Sequence, residues 1–566
     1  MRPVMPTSGR NHRFVNRKPL LVIASAILCL TAGQAVAQRR ESAGRSSNSG
    51  ADVIRFLEQA TFGPTPALVS HVQSVGVDGY LDEQFAAPIS AYPILPQQAA
   101  QASVGCPTGS AANCKRDNYT MFPLQVQFFK NALSGEDQVR QRVALALHEI
   151  LVASGVKIQQ PSMMSLYLNT LSHDAFTNYR QILYDVTVNP AMGRYLDMVN
   201  NDAPAPGSTV APNENYAREV LQLFSLGVNQ LNQGGSVVVD AKGEAIPTYD
   251  QEVVENFAHV FTGWTYAAMP GAAMAKHNPA NFLTPMALYR NPAGVDTNHD
   301  KGGKLLLTYP GAVNSVITPN QDGDKELQQT IDNIFNHPNV GPFIGKQLIQ
   351  HLVTSNPSPA YVARVSAAFA NNGAGVRGDM KAVVRAILLD PEARGAVKTD
   401  SAYGHLREPV LFISGVLRAF NARSDGELGP QASAMEQNLF LSPTVFSYYP
   451  HEYLIPGTTT QGPEFGIQSS SSSEARLNFL NAMTSTGIKT ADGGTTIDLS
   501  LLQQMAGNPA ALTDALNTQL LHGTMPAHQH AALIDAIPAV RSTNPLLRAQ
   551  SAVYLVAGSS QYQIER

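Results

Sequence analysis

Glu214, Arg218 and Glu219 stand close together in PNENYAREVLQLFSLG (212–227), two carboxylates flanking one guanidinium. A buried carboxylic acid of raised pKa working with a second carboxylate can run hydrolysis or elimination at a glycosidic bond. Groups suited to the same chemistry recur at His148 and at His299-Asp300-Lys301-Gly302-Gly303-Lys304, where an imidazole, a carboxylate and two amines surround flexible glycines. The catalytic candidates are therefore Glu214, Glu219, His148, His299 and Asp300, with Arg218 and Lys304 to hold substrate charge. Trp264, the only tryptophan, offers either a core wall or a sugar-stacking platform. Each candidate also has a plainer reading: a salt bridge inside a helical core, a polar residue on a helix, or a solvated turn.

Other constellations fail on spacing. His148-Glu149 lacks the second histidine a zinc-protease helix needs, because Val152 holds that place. Glu255 and His259 lie at i, i+4 on a helix, a single pair that fits an ordinary surface contact better than a metal. Asp296-x-Asn298-x-Asp300 opens like a calcium loop but has Lys301 and Leu307 where glycine and glutamate are required. There is no Gly-x-Ser-x-Gly elbow, phosphate loop or dinucleotide fingerprint. No metal and no cofactor are expected.

The elements that must position these groups are helices. Over 213–226, Asn213 is available as N-cap and Gly227 as stop, and Tyr216, Val220, Leu223 and Phe224 recur at helical spacing. Glu219 falls on the flank of that apolar face, so it is expected to be buried and paired with an arginine, Arg218, Arg140 or Arg142. Further helices are predicted at about 121–133, 138–153, 163–170, 178–188, 249–261, 326–335, 340–353, 358–370, 378–389, 404–420 and 474–484, with others on either side. In the second of these Val139, Val143, Ala146, Leu147 and Ile150 form the core face. One β-hairpin is predicted over Ser236–Pro247. Residues 266–320 and 421–472 carry no periodicity, and loops of that length tend to be functional. The 299–304 loop is expected to fold over the N-terminal end of the 213–226 helix. The fold class is all-α: a large multi-helix domain with long irregular loops and one small hairpin. It divides into a signal peptide (1–37), a linker (38–50), a main helical domain (51–472) and a C-terminal helical part packed on it (473–566).

The compartment follows from the N-terminus. Arg10, Arg13, Arg17 and Lys18 precede an apolar run from Leu20 to Leu30, and Ala35-Val36-Ala37 supplies a cleavage site. The protein is expected to be exported, to the periplasm or beyond, with no membrane span in the mature chain. Cys106 and Cys114, eight apart in a Gly/Pro/Ser-rich stretch, are then expected to form a disulfide, two free thiols being the plainer alternative. A net charge of −4, with no basic cluster in the expected mature chain beyond Lys115-Arg116, argues against nucleic acid as a partner. Charged residues make up only 14%, which suits work among neutral polymers such as an envelope polysaccharide.

Asn213-Glu214-Asn215-Tyr216-Ala217-Arg218-Glu219, Phe261-Thr262-Gly263-Trp264, His299-Asp300-x-Gly302-x-Lys304, RFLEQATFGPT, REPVLFISGVLRAF and the ending YLVAGSSQYQIER together resemble a bacterial family catalogued as domain of unknown function 1800. The resemblance runs from about Ile54 to Arg566. It implies an exported, helical protein whose gene often neighbours that of an exported sulfatase-like protein, a possible partner, and it brings no established activity. In one branch the helix matching 143–154 reads like W-H-N-H-F, with a second histidine where this chain has Ile150. Two function classes stay open: an acid–base enzyme on an envelope or extracellular polymer, and a non-catalytic scaffold or maturation partner of a sulfatase-like protein.

Overall fold

The structure, a computed structural model, describes residues 50–566 apart from Pro206, Val397 and Thr399. The expected signal peptide, and the expected linker up to its last residue, lie outside the described residues. About half of the chain is helical, and among the described residues there are 24 α-helices and the strands form only two-stranded pairs. The architecture is all-α, as the periodicity predicts. None of the described helices is long and apolar enough to cross a membrane.

Helix Gln138–Ile150 lies at the centre, and all of its side chains are buried. Its predicted apolar face enters the core. Its polar stripe is buried too, so those groups need partners inside the protein. Gln138 donates to the Asn131 and Gly135 carbonyls, Gln141 to Asp137, and Arg142 to the His351 carbonyl at 3.0 Å. Helix Val340–Leu352, likewise almost wholly buried, packs against it.

The helix expected over 404–420 begins instead at Pro409 and ends at Ala419. Proline has no N–H to give and disfavours helical geometry in the residue before it, so it takes the first turn and leaves Glu408 extended (φ −57°, ψ 151°). The 213–226 helix is shorter than expected, Asn215–Gln222. Its N-cap is Glu214 and not Asn213, whose side chain accepts from the Asn215 N–H at 2.8 Å one residue earlier, and Tyr216 and Val220 enter the core. Beyond Gln222 the chain continues in turns to Gly227, whose φ of +74° favours glycine and where a Cβ would come within 2.8 Å of the Phe343 ring. The predicted hairpin is present as a short bridged loop, Val239 opposite Ala245, with Val237 and Val239 exposed.

From Ser470–Ser485 to Pro545–Ala557 the C-terminal helices pack on one another. Two strand pairs tie them back: Arg423–Ser424 with Thr495–Thr496, and His405–Leu406 with Ile564–Glu565. A single hydrophobic core runs from Val53 to Tyr562. Cys106 and Cys114 are joined in a disulfide.

Candidate functional site

The residues singled out from sequence do not share one cleft. Glu214 and Arg218 form an i, i+4 pair at 2.9 Å near the surface, with Gln251 bridging them. Glu219 is half-buried, and burial raises its pKa. Its Oε2 makes no hydrogen bond, because Arg218 turns to Glu214 and not to it. His148 is buried edge-on against Tyr167 and Phe440, and burial holds it down at about 4. The 299–304 loop packs on helix Gln251–Val260: Asp300 pairs with His259 at 3.0 Å. His299 and Lys304 are not in an open cleft but buried on Glu326, at 3.2 and 2.9 Å. Trp264 is 2% exposed, a core wall and not a stacking platform.

A different set of polar groups converges. Glu149, near the end of helix Gln138–Ile150, His351, near the end of Val340–Leu352, and Glu408, at the head of Pro409–Ala419, bring one ligand-capable atom each within 4.8 Å of the others. His351 Nδ1 stands 3.6 Å from both Glu149 Oε2 and Glu408 Oε1. Gln437, fully buried, donates from Nε2 to Glu149 Oε1 (3.0 Å) and to Glu408 Oε2 (2.6 Å), while its Oε1 accepts from the Val410 N–H.

The two carboxylates differ in a way the helices explain. Burial, then the charge of Glu408, pushes Glu149 well above the usual carboxylate range. Burial acts on Glu408 too, but His351, Arg142 and Gln437 outweigh it and hold that carboxyl down. Helix polarity acts in the same senses: Glu149 lies at a C-terminal, negative pole, whereas Glu408 caps an N-terminal, positive one.

Glu149 and His351 line an inner cavity of about 30 Å³ with Gln350, Ser447, Tyr449, His451 and Glu464. The stretch 421–472, predicted only as a long loop, supplies most of its far wall. Ser447 has φ +63°, an unusual conformation for a residue with a side chain, and such strain gathers at functional sites. Its hydroxyl and Gln350 Oε1 are buried without hydrogen-bond partners. A groove of about 400 Å³ adjoins, walled by Gln222, Asn229, Phe343, Lys346 and Gln461 among others. Leu223, Phe446 and His451 line both spaces. Leu223 follows directly on the Asn215–Gln222 helix, so that helix reaches the site with its C-terminal end, not with Glu214. His451 is the only titratable side chain common to both linings, and burial lowers its pKa to about 4, leaving a neutral imidazole.

Sequence reasoning missed Glu149, His351, Glu408 and Gln437 as a set. The available signal was a charged or imidazole side chain embedded in an otherwise apolar helix, as in IGKQLIQHLV and REPVLFISGV. That pattern marks burial of a polar group, but not which partners meet it.

Fold and site define a large all-α protein with a solvent-shielded carboxylate–imidazole centre beside a groove. The chain belongs to the family described as "Protein of unknown function (DUF1800)", whose model matches residues 55–564. No curated protein and no solved structure matches it.

Proposed function

We propose that the protein is an exported enzyme that uses carboxylate and histidine groups for acid–base chemistry on an envelope or extracellular polymer. The groove takes a segment of the polymer, His451 moves the proton, and Glu149, His351 and Glu408 form the charged centre behind it. The observation that carries this reading is the position of His451, the one titratable side chain shared by the groove and the inner cavity. The groove's volume falls within the ~300–1,000 Å³ range of ligand pockets, and its amide side chains and the Phe343 and Phe446 rings suit a neutral, hydroxyl-rich substrate. Glu149 and Glu408 lie too close together to flank a glycosidic bond, since a retaining pair needs about 5–5.5 Å and an inverting pair more. Proton abstraction or hydrolysis at a single carbon therefore fits better than the two-carboxylate route.

The test is turnover on a panel of polysaccharides and peptidoglycan, read as new reducing ends or unsaturated products. His451→Gln should lower kcat by about 10²–10⁴-fold, the usual contribution of a general acid or base, with no change in melting temperature. Equal rates for wild type and His451→Gln would refute the assignment. An inert wild type that binds an exported sulfatase-like protein would establish the scaffold reading, which the paired-off Glu214–Arg218 and His299–Glu326–Lys304 groups favour.

A further inference from the structure

We infer that Glu149 Oε2, His351 Nδ1 and Glu408 Oε1 bind one divalent transition-metal ion of the Zn²⁺ or Mn²⁺ class. The inference concerns the centre just described and depends on the enzyme reading only for what the ion would serve.

Four observations point to a cation. First, the two 3.6 Å separations around His351 Nδ1 are too long for hydrogen bonds. They are close to the ~3–3.5 Å expected between two ligands that each stand about 2.0–2.2 Å from a common ion. Second, Gln437 occupies the other oxygen of each carboxylate, Glu149 Oε1 and Glu408 Oε2. The oxygens left over are the two that face His351. An outer partner that orients ligands in this way is a regular feature of metal sites. Third, Gln350 Oε1 and Ser447 Oγ are buried in the same cavity without partners, on residues 3% and 4% exposed. A proton shared between the carboxylates would leave both as they are, whereas an ion with bound water would give them a donor. The inner cavity, at about 30 Å³, has room for a bound water. Fourth, among the described residues no lysine or arginine forms a salt bridge with either carboxylate, and Arg142 acts on them only at longer range. In the buried His299–Glu326 cluster the Lys304 ammonium sits 2.9 Å from Glu326 and supplies the positive charge. At His405 the carboxylates of Glu464 and Glu565 face opposite ring nitrogens and cannot converge on one point.

One imidazole and two carboxylates suit Zn²⁺, Mn²⁺ or Fe²⁺; an imidazole ligand speaks against Ca²⁺ and Mg²⁺, which prefer oxygen throughout. Such an ion could activate a water for hydrolysis. This departs from the sequence reading, which expected no metal because it looked for histidine pairs along one helix.

The experiment is metal analysis of the purified full-length mature protein, followed by chelation and titration with Zn²⁺ or Mn²⁺, read by calorimetry and by melting temperature. About one ion per chain is expected, with a melting temperature that rises on adding the ion to the stripped protein. Glu149→Gln and Glu408→Gln should each weaken binding at least 10-fold, and Glu326→Gln should bind like wild type. Should the first two variants not fold, the wild-type titration decides alone. Absence of retained metal together with no binding and no melting shift for either ion overturns the inference. Turnover that depends on His451 in a protein without metal would overturn it while keeping the enzyme; a bound ion without turnover on any substrate would do the reverse.

Discussion

Replacing Gln437 with leucine tests whether the buried centre carries charge. Leucine nearly conserves the volume, so little of the effect can come from a cavity. What is lost is the bridge: two hydrogen bonds to carboxylates, at 3.0 and 2.6 Å, and the acceptor of the Val410 N–H. Hydrogen bonds to charged groups contribute about 1.5–3 kcal/mol each, and a stranded buried N–H costs about 1–3 kcal/mol. A simple sum overstates the loss, because Glu149, already raised by burial and by Glu408, can take up a proton and relieve one oxygen. The expected destabilisation at pH 7 is about 3–5 kcal/mol, the range seen when a buried polar network is broken. Urea unfolding followed by circular dichroism measures it as a drop in midpoint at unchanged slope. A loss below about 1 kcal/mol would mean that Gln437 is not holding charged oxygens, and the reasoning for both the centre and its ion would fail.

Three further outcomes follow from the same structure. Glu565 and Glu464 outweigh burial and raise His405 from 6.5 to about 10; a raised cation stabilises the fold fully below pH 6.5, so the urea midpoint should fall as pH climbs from 7 to 10, and His405→Gln should remove that part of the slope. Burial raises the Glu219 carboxyl, so its ionisation opposes folding; Glu219→Gln should match or exceed wild-type stability at pH 7, with the difference vanishing below pH 4, and a clear loss at pH 7 would show an ion pair that the structure lacks. Mass spectrometry of the purified protein should find Cys106 and Cys114 oxidised, and reducing this short loop should cost about 2–3 kcal/mol at most.

Much of the helical architecture was legible locally, because a helix declares itself within a few turns of sequence. Apolar spacing located Gln138–Ile150 and Val340–Leu352 to within a few residues, whereas the motif helix is capped at Glu214 and ends at Gln222, short of Gly227. Where a local rule was overlooked, as with Pro409, the boundary was misplaced by five residues. The candidate site was another matter. Glu149 and His351 lie in two helices and Glu408 caps a third, far apart in the chain, and each alone reads as a stray polar residue. Periodicity states which face of a helix is buried; it does not state what that face meets. His299 and Lys304 illustrate the converse, a motif conspicuous in sequence whose side chains turn inward to Glu326. Which polar groups end as a buried ion-paired trio, and which converge on a cavity, depends on how helix ends and the 421–472 loop pack in three dimensions. That packing is set by long-range contacts, and so it was decided by the tertiary structure alone.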